Sequence, residues 1–200
     1  KTSVIHLGSS LRPTGAQVDL PVRRPFLLFV GARSSYKNFA SLLRAYAASG
    51  WLMKDFDLVA FGGGPINAKE TELIRQLAIP PENVRLLQGG DDILAGLYLR
   101  AAAFVYPSLY EGFGIPPLEA MSFDCPVVCS NASSIPEVVG NAAMLFDPDS
   151  TEDLCQALAA VLNEAGRRKE LIEKGRERIK KFSWAKCSQQ TMAVYEQVLS

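Results

Sequence analysis

Histidine occurs once in these 200 residues, at His6, and that scarcity removes whole classes of chemistry. A Ser-His-Asp or Cys-His mechanism, or a histidine-rich metal site, would have to use His6 or draw on another chain. Cysteine is sparse as well. Cys125, Cys129, Cys155 and Cys187 form no CxxC pair, so no zinc site is expected, and reduced thiols in a cytoplasmic chain are. Neither sign of charge is in excess: 21 Lys and Arg stand against 21 Asp and Glu. That balance gives no reason to expect nucleic acid as the partner. No run is long and apolar enough to span a bilayer, and KTSVIHLGSS (1–10) lacks the apolar stretch of a signal peptide.

What is present is a large apolar fraction, 48%, enough for the core of one ordinary domain. The apolar runs are short and rich in β-branched or aromatic residues. They predict strands at 26–31, 56–62, 84–89, 103–108, 126–131 and 143–147. Runs apolar on both faces suit a parallel sheet covered on both sides. Between them lie helical patterns, such as Phe39, Leu42, Leu43 and Tyr46, or Leu154, Leu158, Val161 and Leu162. Strand alternating with helix predicts an α/β, doubly wound, Rossmann-like parallel sheet. After residue 150 the pattern is helical throughout. A looser stretch (8–25) precedes the first strand, so residues 1–24 read as a linker and the start of the domain, and 25–200 as the domain itself.

In an open parallel sheet, ligands sit where the strands' carboxyl ends meet helix N-termini. Three such junctions stand out. In GARSSYKN (31–38), Gly31 allows a tight turn, Arg33 and Lys37 supply cations, and Asn38 is placed to cap the next helix. In FGGGP (61–65), glycines centred on Gly63 leave room for a ligand, although glycine also serves ordinary turns. In EGFGIPPLE (111–119), Gly112 and Gly114 permit close backbone approach, and the prolines suit a helix's first turn. Free N–H groups there would favour a phosphate. Glu111 and Glu119 cannot sensibly face that phosphate. Each is better used to accept hydrogen bonds from hydroxyls, one on either side of a diphosphate. The residues therefore predict a ligand of the form sugar–diphosphate–ribose.

The segment PSLYEGFGIPPLEAMSFDCPVVCSNASSIPEVVGNAAMLFDPDS, with its Glu-x7-Glu spacing, resembles the donor-binding half of retaining GT-B glycosyltransferases of the GT4 family. The similarity runs from VIHLG, which resembles the interdomain linker, to the final helix. The resemblance implies a catalytic set of Glu111, Lys37 and Arg33. Glu111 would contact the donor sugar, while Lys37 and Arg33 would neutralise the leaving diphosphate. It further implies a donor-binding set of Gly31, Gly63, Leu87, Gln88, Phe113, Gly114, Ile115 and Glu119. Glu119 would hold the ribose, the backbone near Leu87 and Gln88 the base, and the 113–115 loop the phosphates. One departure is that many members place the arginine directly after the glycine, where this chain has Ala32.

By the same resemblance the donor is a UDP- or GDP-sugar, no metal or other cofactor is required, and the acceptor is a glycan or lipid-linked molecule in polysaccharide biosynthesis. The N-terminal acceptor lobe is absent from this chain, which alone would bind donor without turnover. Val194, Tyr195, Val198 and Leu199 would then form a partly exposed patch. Two alternatives stay open: a catalytically silent nucleotide-sugar-binding module and a sugar-nucleotide epimerase of the same fold. The DFD (55–57) and DPD (147–149) strings suggest metal motifs, but DFD precedes a strand and DPD fits the cap of the helix that follows it. Residues 167–181 carry eight Lys or Arg against three Glu. Glu170–Lys174 and Glu177–Lys181 pairs on a solvated helix account for most of that run, and a peripheral contact at the inner membrane face is the further reading. Cys125 and Cys129 are expected as buried strand thiols.

Overall fold

The computed structural model describes residues 2–12, 18–33 and 35–199; Lys1 and residues 13–17 of the expected linker, and Ser34 and Ser200, lie outside the described residues. Six strands form one sheet: β1 (Phe26–Val30), β2 (Asp57–Phe61), β3 (Val84–Leu87), β4 (Ala103–Tyr106), β5 (Val127–Ser130) and β6 (Met144–Phe146). Every pairing is parallel and the order is β3-β2-β1-β4-β5-β6. Each expected strand is present, one or two residues shorter than its apolar run, because the end residues turn away into loops.

The alternation of side chains across β1 explains the two-layered core. Leu27 and Phe29 face one side, with Phe39, Leu42, Leu43 and Tyr46 of α1 (Phe39–Ala48) and Leu154, Leu158 and Val161 of α7 (Thr151–Asn163). Phe26, Leu28 and Val30 face the other, with α4 (Asp91–Arg100), α5 (Ile115–Ser122) and α6 (Ile135–Val139). Phe29 and Phe39 are both buried, with ring centroids 4.9 Å apart. Such a pair adds about 0.5–1.5 kcal/mol beyond the area it buries. Two further helices, α2 (Gly50–Asp55) and α3 (Ala68–Gln76), connect the outer strands. Leu20 and Val22, within the looser stretch before β1, are fully buried in the second layer.

After residue 150 come α7, α8 (Ala165–Ile179) and α9 (Trp184–Leu199). Ser150 caps α7, its hydroxyl accepting from Asp153 N. Asn38 behaves differently from the expected cap. Its backbone is left-handed at φ 54°, its side chain accepts no helix N–H, and its amide donates to Pro148 O at 3.2 Å. It ties the entry of α1 to the entry of α7.

In α8, Glu170 pairs with Lys174 as expected, whereas Glu177 pairs with Lys180 instead of Lys181. Other cations of the run are docked on the domain. Arg176 forks onto Asp124 with two 2.7 Å bonds, and Arg178 donates to the carbonyls of Glu137 and Val138 at the end of α6. No residue of α9 is buried; Met192, Tyr195, Val198 and Leu199 are exposed and Val194 is half-buried. None of the helices among the described residues is long and apolar enough to cross a membrane.

Candidate functional site

The sheet order reverses between β1 and β4, which is where an open parallel sheet leaves a crevice at its carboxyl edge. The loops of β1, β2 and β3 are laced together beside it: Gly31 N donates to Phe61 O and Gly62 N to Leu87 O, both at 2.9 Å. Gly31, Gly63 and Leu87 thus share one edge, with Gln88 exposed just beyond. Asp57 lies at the opposite end of β2. Its buried carboxylate is taken up by Arg24 at 2.9 Å and Arg85 at 2.8 Å, which makes it a clasp between strand starts.

Across the crevice, Lys37 from the turn Ser35–Lys37 meets Glu111 from the loop after β4. Lys37 Nζ lies 2.7 Å from Glu111 Oε1, and the side chains are only 14% and 12% exposed. Tyr106, at the end of β4, accepts from Lys37 Nζ at 3.3 Å. Burial pushes the Tyr106 phenol well above its usual range, and the Glu111 carboxylate adds to the rise, so it stays neutral. The Glu111 loop is held from behind by the segment after β5. Ser133 Oγ donates to Glu111 O at 2.7 Å, and Ser134 Oγ lies 2.8 Å from Glu111 O and 2.9 Å from Phe113 O.

Helix α5 begins at Ile115 after Gly114, whose φ of 108° places it where L side chains are strained. Pro116 and Pro117 follow, and proline has no N–H. The free donors of this helix start are therefore concentrated on Gly114 and Ile115, a narrow pair aimed out of the helix end. Glu119 sits on the same helix. It accepts from Tyr98 OH of α4 at 3.2 Å, and burial raises its carboxyl above the usual range, with Asp91 adding to the effect and the Tyr98 bond opposing it. Burial and the nearby carboxylate hold Tyr98 in its neutral, donating form.

Arg33 is placed inside the glycine loop. Its side chain is 2% exposed and pairs with Glu70 at 2.9 Å. It also donates to the carbonyls of Gly62, Gly64 and Pro65 at 2.8, 3.0 and 2.9 Å. These bonds take up most of its five N–H donors. A Cβ at Gly63, where φ is 76°, would stand 3.0 Å from both Arg33 Nη1 and Gly31 O. Glycine here lets the first two loops touch. Gly31, Lys37, Glu111 and the 113–115 loop thus meet at the crevice, with Glu119 just inside α5, whereas Arg33 acts as a clamp on its rim.

Residues that sequence reasoning passed over are Tyr98, Tyr106, Glu70, Ser133 and Ser134. The serines were signalled by SNASSIPE, a polar cluster between a strand and a proline-led helix. Glu70 was signalled by Asn67 three residues earlier, the spacing of a capping box, which α3 does form. Burial raises the Cys125 thiol to about 12 and also raises Cys129; Cys129 is the buried strand thiol expected, whereas Cys125 is buried in the turn before β5 and not in a strand. His6 bonds Glu137 Oε1 at 3.0 Å and its ring packs near Phe113 and Phe182.

The model of the family "Glycosyl transferases group 1" matches residues 15–178. The chain belongs to that family, and its fold is that of a GT-B glycosyltransferase domain. It is 35% identical over 176 residues to the O-antigen chain mannosyltransferase B of Escherichia coli, covering 86% of this chain and 45% of that protein. It is 33% identical over 184 residues to the MMP alpha-(1->4)-mannosyltransferase of Mycolicibacterium hassiacum, covering 90% of this chain and 44% of the relative. The chain thus spans a little under half the length of these relatives. Among solved structures, sucrose-phosphate synthase from Thermosynechococcus elongatus superposes with a TM-score of 0.85 at 26% identity, over all of this chain and 53% of that one. A glycosyltransferase from Rickettsia africae shares the fold, with a TM-score of 0.77 at 20% identity over 90% of this chain and 49% of that one.

Proposed function

We propose that this chain is the donor-binding lobe of a retaining glycosyltransferase that moves a hexose from a nucleoside-diphosphate sugar to a glycan or lipid-linked acceptor. The observation that carries the reading is the meeting of Lys37, Glu111 and the proline-restricted start of α5 at the switch point of the sheet. An ammonium and two outward N–H groups suit a diphosphate. The carboxylates on either side suit hydroxyls: Glu111 those of the sugar, and Glu119, presented with Tyr98, those of the ribose.

In the reaction, charge grows on the diphosphate as the glycosidic bond breaks. Lys37 and the N–H groups of Gly114 and Ile115 stabilise that charge, and their effect is largest in the transition state. The cation is already in place, so the work given to a divalent metal elsewhere falls to Lys37. Arg33 contributes by fixing the Gly62–Pro65 loop against the β1 loop. Gly31 and Gly63 leave space for the phosphates, and Leu87 and Gln88 flank the base. The mannosyltransferase relatives favour an activated mannose as the donor and polysaccharide synthesis as the setting. The N-terminal lobe of such an enzyme is the natural partner, and a cytoplasmic site at the inner membrane face follows for a lipid-linked acceptor.

Calorimetric titration of the folded chain with GDP, UDP and ADP, in Mg²⁺ and again in EDTA, tests the reading. Selective binding of one diphosphate, unchanged by EDTA, is the expected result. Binding that collapses in EDTA would remove the metal-free mechanism, and a folded chain that binds none would remove the donor site.

A further inference from the structure

Ser108 is fully buried, yet its hydroxyl has no hydrogen-bond partner among the described residues. Leaving such a group unpaired costs stability, so its presence needs a reason. Slackness is not one, because Ser130 Oγ of β5 donates to Ser108 O and fixes the segment at its carbonyl. Ser108 follows Tyr106 by two residues, the interval at which an extended chain returns to the same side. Its hydroxyl acts on the Tyr106 phenol as a donor, opposing the effects of burial and of Glu111, although it stands short of bonding geometry.

Tyr106 lies between that hydroxyl and the Lys37–Glu111 pair. Lys37 Nζ commits two of its three N–H donors, one to Glu111 Oε1 at 2.7 Å and one to Tyr106 OH at 3.3 Å. The ammonium also lies 5.2 Å from the centre of the Tyr106 ring and 5.5 Å from that of Tyr36, so two aromatic faces help to hold it. Because its oxygen accepts from Lys37, the phenol keeps its own O–H for Glu111, the strongest influence on it after burial.

A diphosphate in the crevice changes this arrangement. It brings more negative charge than one carboxylate and draws the ammonium toward itself. Glu111 then shares its cation, and the Tyr106 oxygen loses its donor. Ser108 holds an unused donor beside that oxygen.

We propose that Ser108 and Tyr106 are positioning residues for Glu111: once a diphosphate engages Lys37, Ser108 Oγ–H donates to the Tyr106 oxygen, and Tyr106 O–H holds the carboxylate toward the sugar. The inference rests on the donor-lobe reading and deepens it, for it says how Glu111 stays oriented when its counter-ion is drawn away. No proton is transferred, since the phenol stays neutral throughout. The unpaired hydroxyl of the free chain is half of a bond that the ligand completes.

Calorimetry of the folded chain with GDP, GDP-mannose, UDP and UDP-glucose reads the relay as the preference for a sugar nucleotide over its bare diphosphate. Tyr106→Phe should lower that preference several-fold, and Ser108→Ala should lower it less. The double variant should do no worse than Tyr106→Phe alone, because the serine acts only through the phenol. Circular dichroism confirms the fold of each. Losses that simply add, or a preference that neither variant moves, would overturn the relay.

Lys37→Met supplies a ligand-free arm, since it takes the ammonium from Tyr106 as a diphosphate would. In urea unfolding, a double-mutant cycle of Tyr106→Phe with Ser108→Ala should show a coupling several-fold larger in that background than in the parent. Equal coupling in the two backgrounds would sink the proposal. A folded chain that binds none of the four nucleotides would instead remove the donor reading, and the urea cycle would then decide the relay by itself.

Discussion

Lys37 Nζ and Glu111 Oε1 are 2.7 Å apart, and the pair bridges the loops of the two strands between which the sheet order reverses. The cation is therefore neutralised by the chain itself, yet only partly buried. A diphosphate entering the crevice brings more negative charge than one carboxylate and competes for the same ammonium. Lys37→Ala should weaken GDP or UDP binding by roughly 10–150-fold, the equivalent of about 1.5–3 kcal/mol for a hydrogen bond to a charged group. Lys37→Arg should recover only part of that. Calorimetry checks it, and a Lys37→Ala chain that binds as tightly as the parent would move the phosphates elsewhere.

The same pair gives Glu111 an unequal role toward two ligands. Glu111→Gln frees Lys37 from its partner, so affinity for the bare nucleoside diphosphate should hold or rise. The intact nucleotide sugar should bind several-fold more weakly, because the amide cannot accept from sugar hydroxyls at both of its end atoms. Parallel titrations with GDP and GDP-mannose, or the UDP pair, separate the two effects. Equal losses for both would end this division of labour.

Glu119 carries a cost to the fold that the proposed ribose contact would explain. Burial raises its folded carboxyl above the ordinary value. The folded state then holds its proton more tightly than the unfolded state does, and stability falls as pH rises between the two values. Glu119→Gln keeps an acceptor for Tyr98 OH without the buried charge. Near pH 7 it should stabilise the chain, by roughly the 0.5–2 kcal/mol usual for such changes, while weakening nucleoside diphosphate binding. The gain should vanish below about pH 4, where the carboxyl is protonated in both states. Thermal unfolding across pH measures this, and a variant that is destabilised at pH 7 would contradict the assignment.

Much of this architecture was legible in the sequence because its signals are local. Short runs such as FLLFV and PVVC, apolar on both faces, mark central parallel strands wherever they occur. The 3.6-residue spacing of Leu154, Leu158 and Val161 marks α7, and Glu111-x7-Glu119 places one carboxylate before a helix and one within it. Side-chain partners chosen across long sequence separations were not legible. Arg33 and Asn38 look free in GARSSYKN, but folding brings Glu70 and Pro148 to them, 37 and 110 residues away. Tyr106 and Tyr98, which sequence reasoning passed over, are core aromatics whose phenols reach into the site from buried rings. Nothing in their spacing separates an aromatic that only packs from one that also holds a carboxylate or an ammonium.

Arg33 tests the difference between a clamp and a ligand contact. Its guanidinium pairs with Glu70 out of solvent and gathers the Gly62–Pro65 carbonyls. Arg33→Ala strands the Glu70 carboxylate, and breaking a buried pair from one side costs about 3–5 kcal/mol. Urea unfolding should show a loss of that order, with weaker diphosphate binding following from the loosened loop. A variant of near-parental stability that nonetheless loses the diphosphate would make Arg33 a direct phosphate ligand, as the family resemblance implies.

Neighbouring glycines in the same loop provide an internal control. Gly63 and Gly64 have φ of 76° and 72°, so alanine at either is strained by its backbone, at roughly 1–2 kcal/mol. Only at Gly63 does the added methyl meet the chain, 3.0 Å from Arg33 Nη1 and from Gly31 O, while at Gly64 nothing lies within 4 Å. Gly63→Ala should therefore destabilise the fold by about 1–3 kcal/mol more than Gly64→Ala, the usual range for overpacking. It should also weaken nucleoside diphosphate binding, because the β1 and β2 loops can no longer close on each other beside Lys37. Gly64→Ala should leave that binding nearly intact. If the two variants lose stability and affinity equally, backbone conformation alone sets the glycine requirement, and the contact through Arg33 and Gly31 has no part in it.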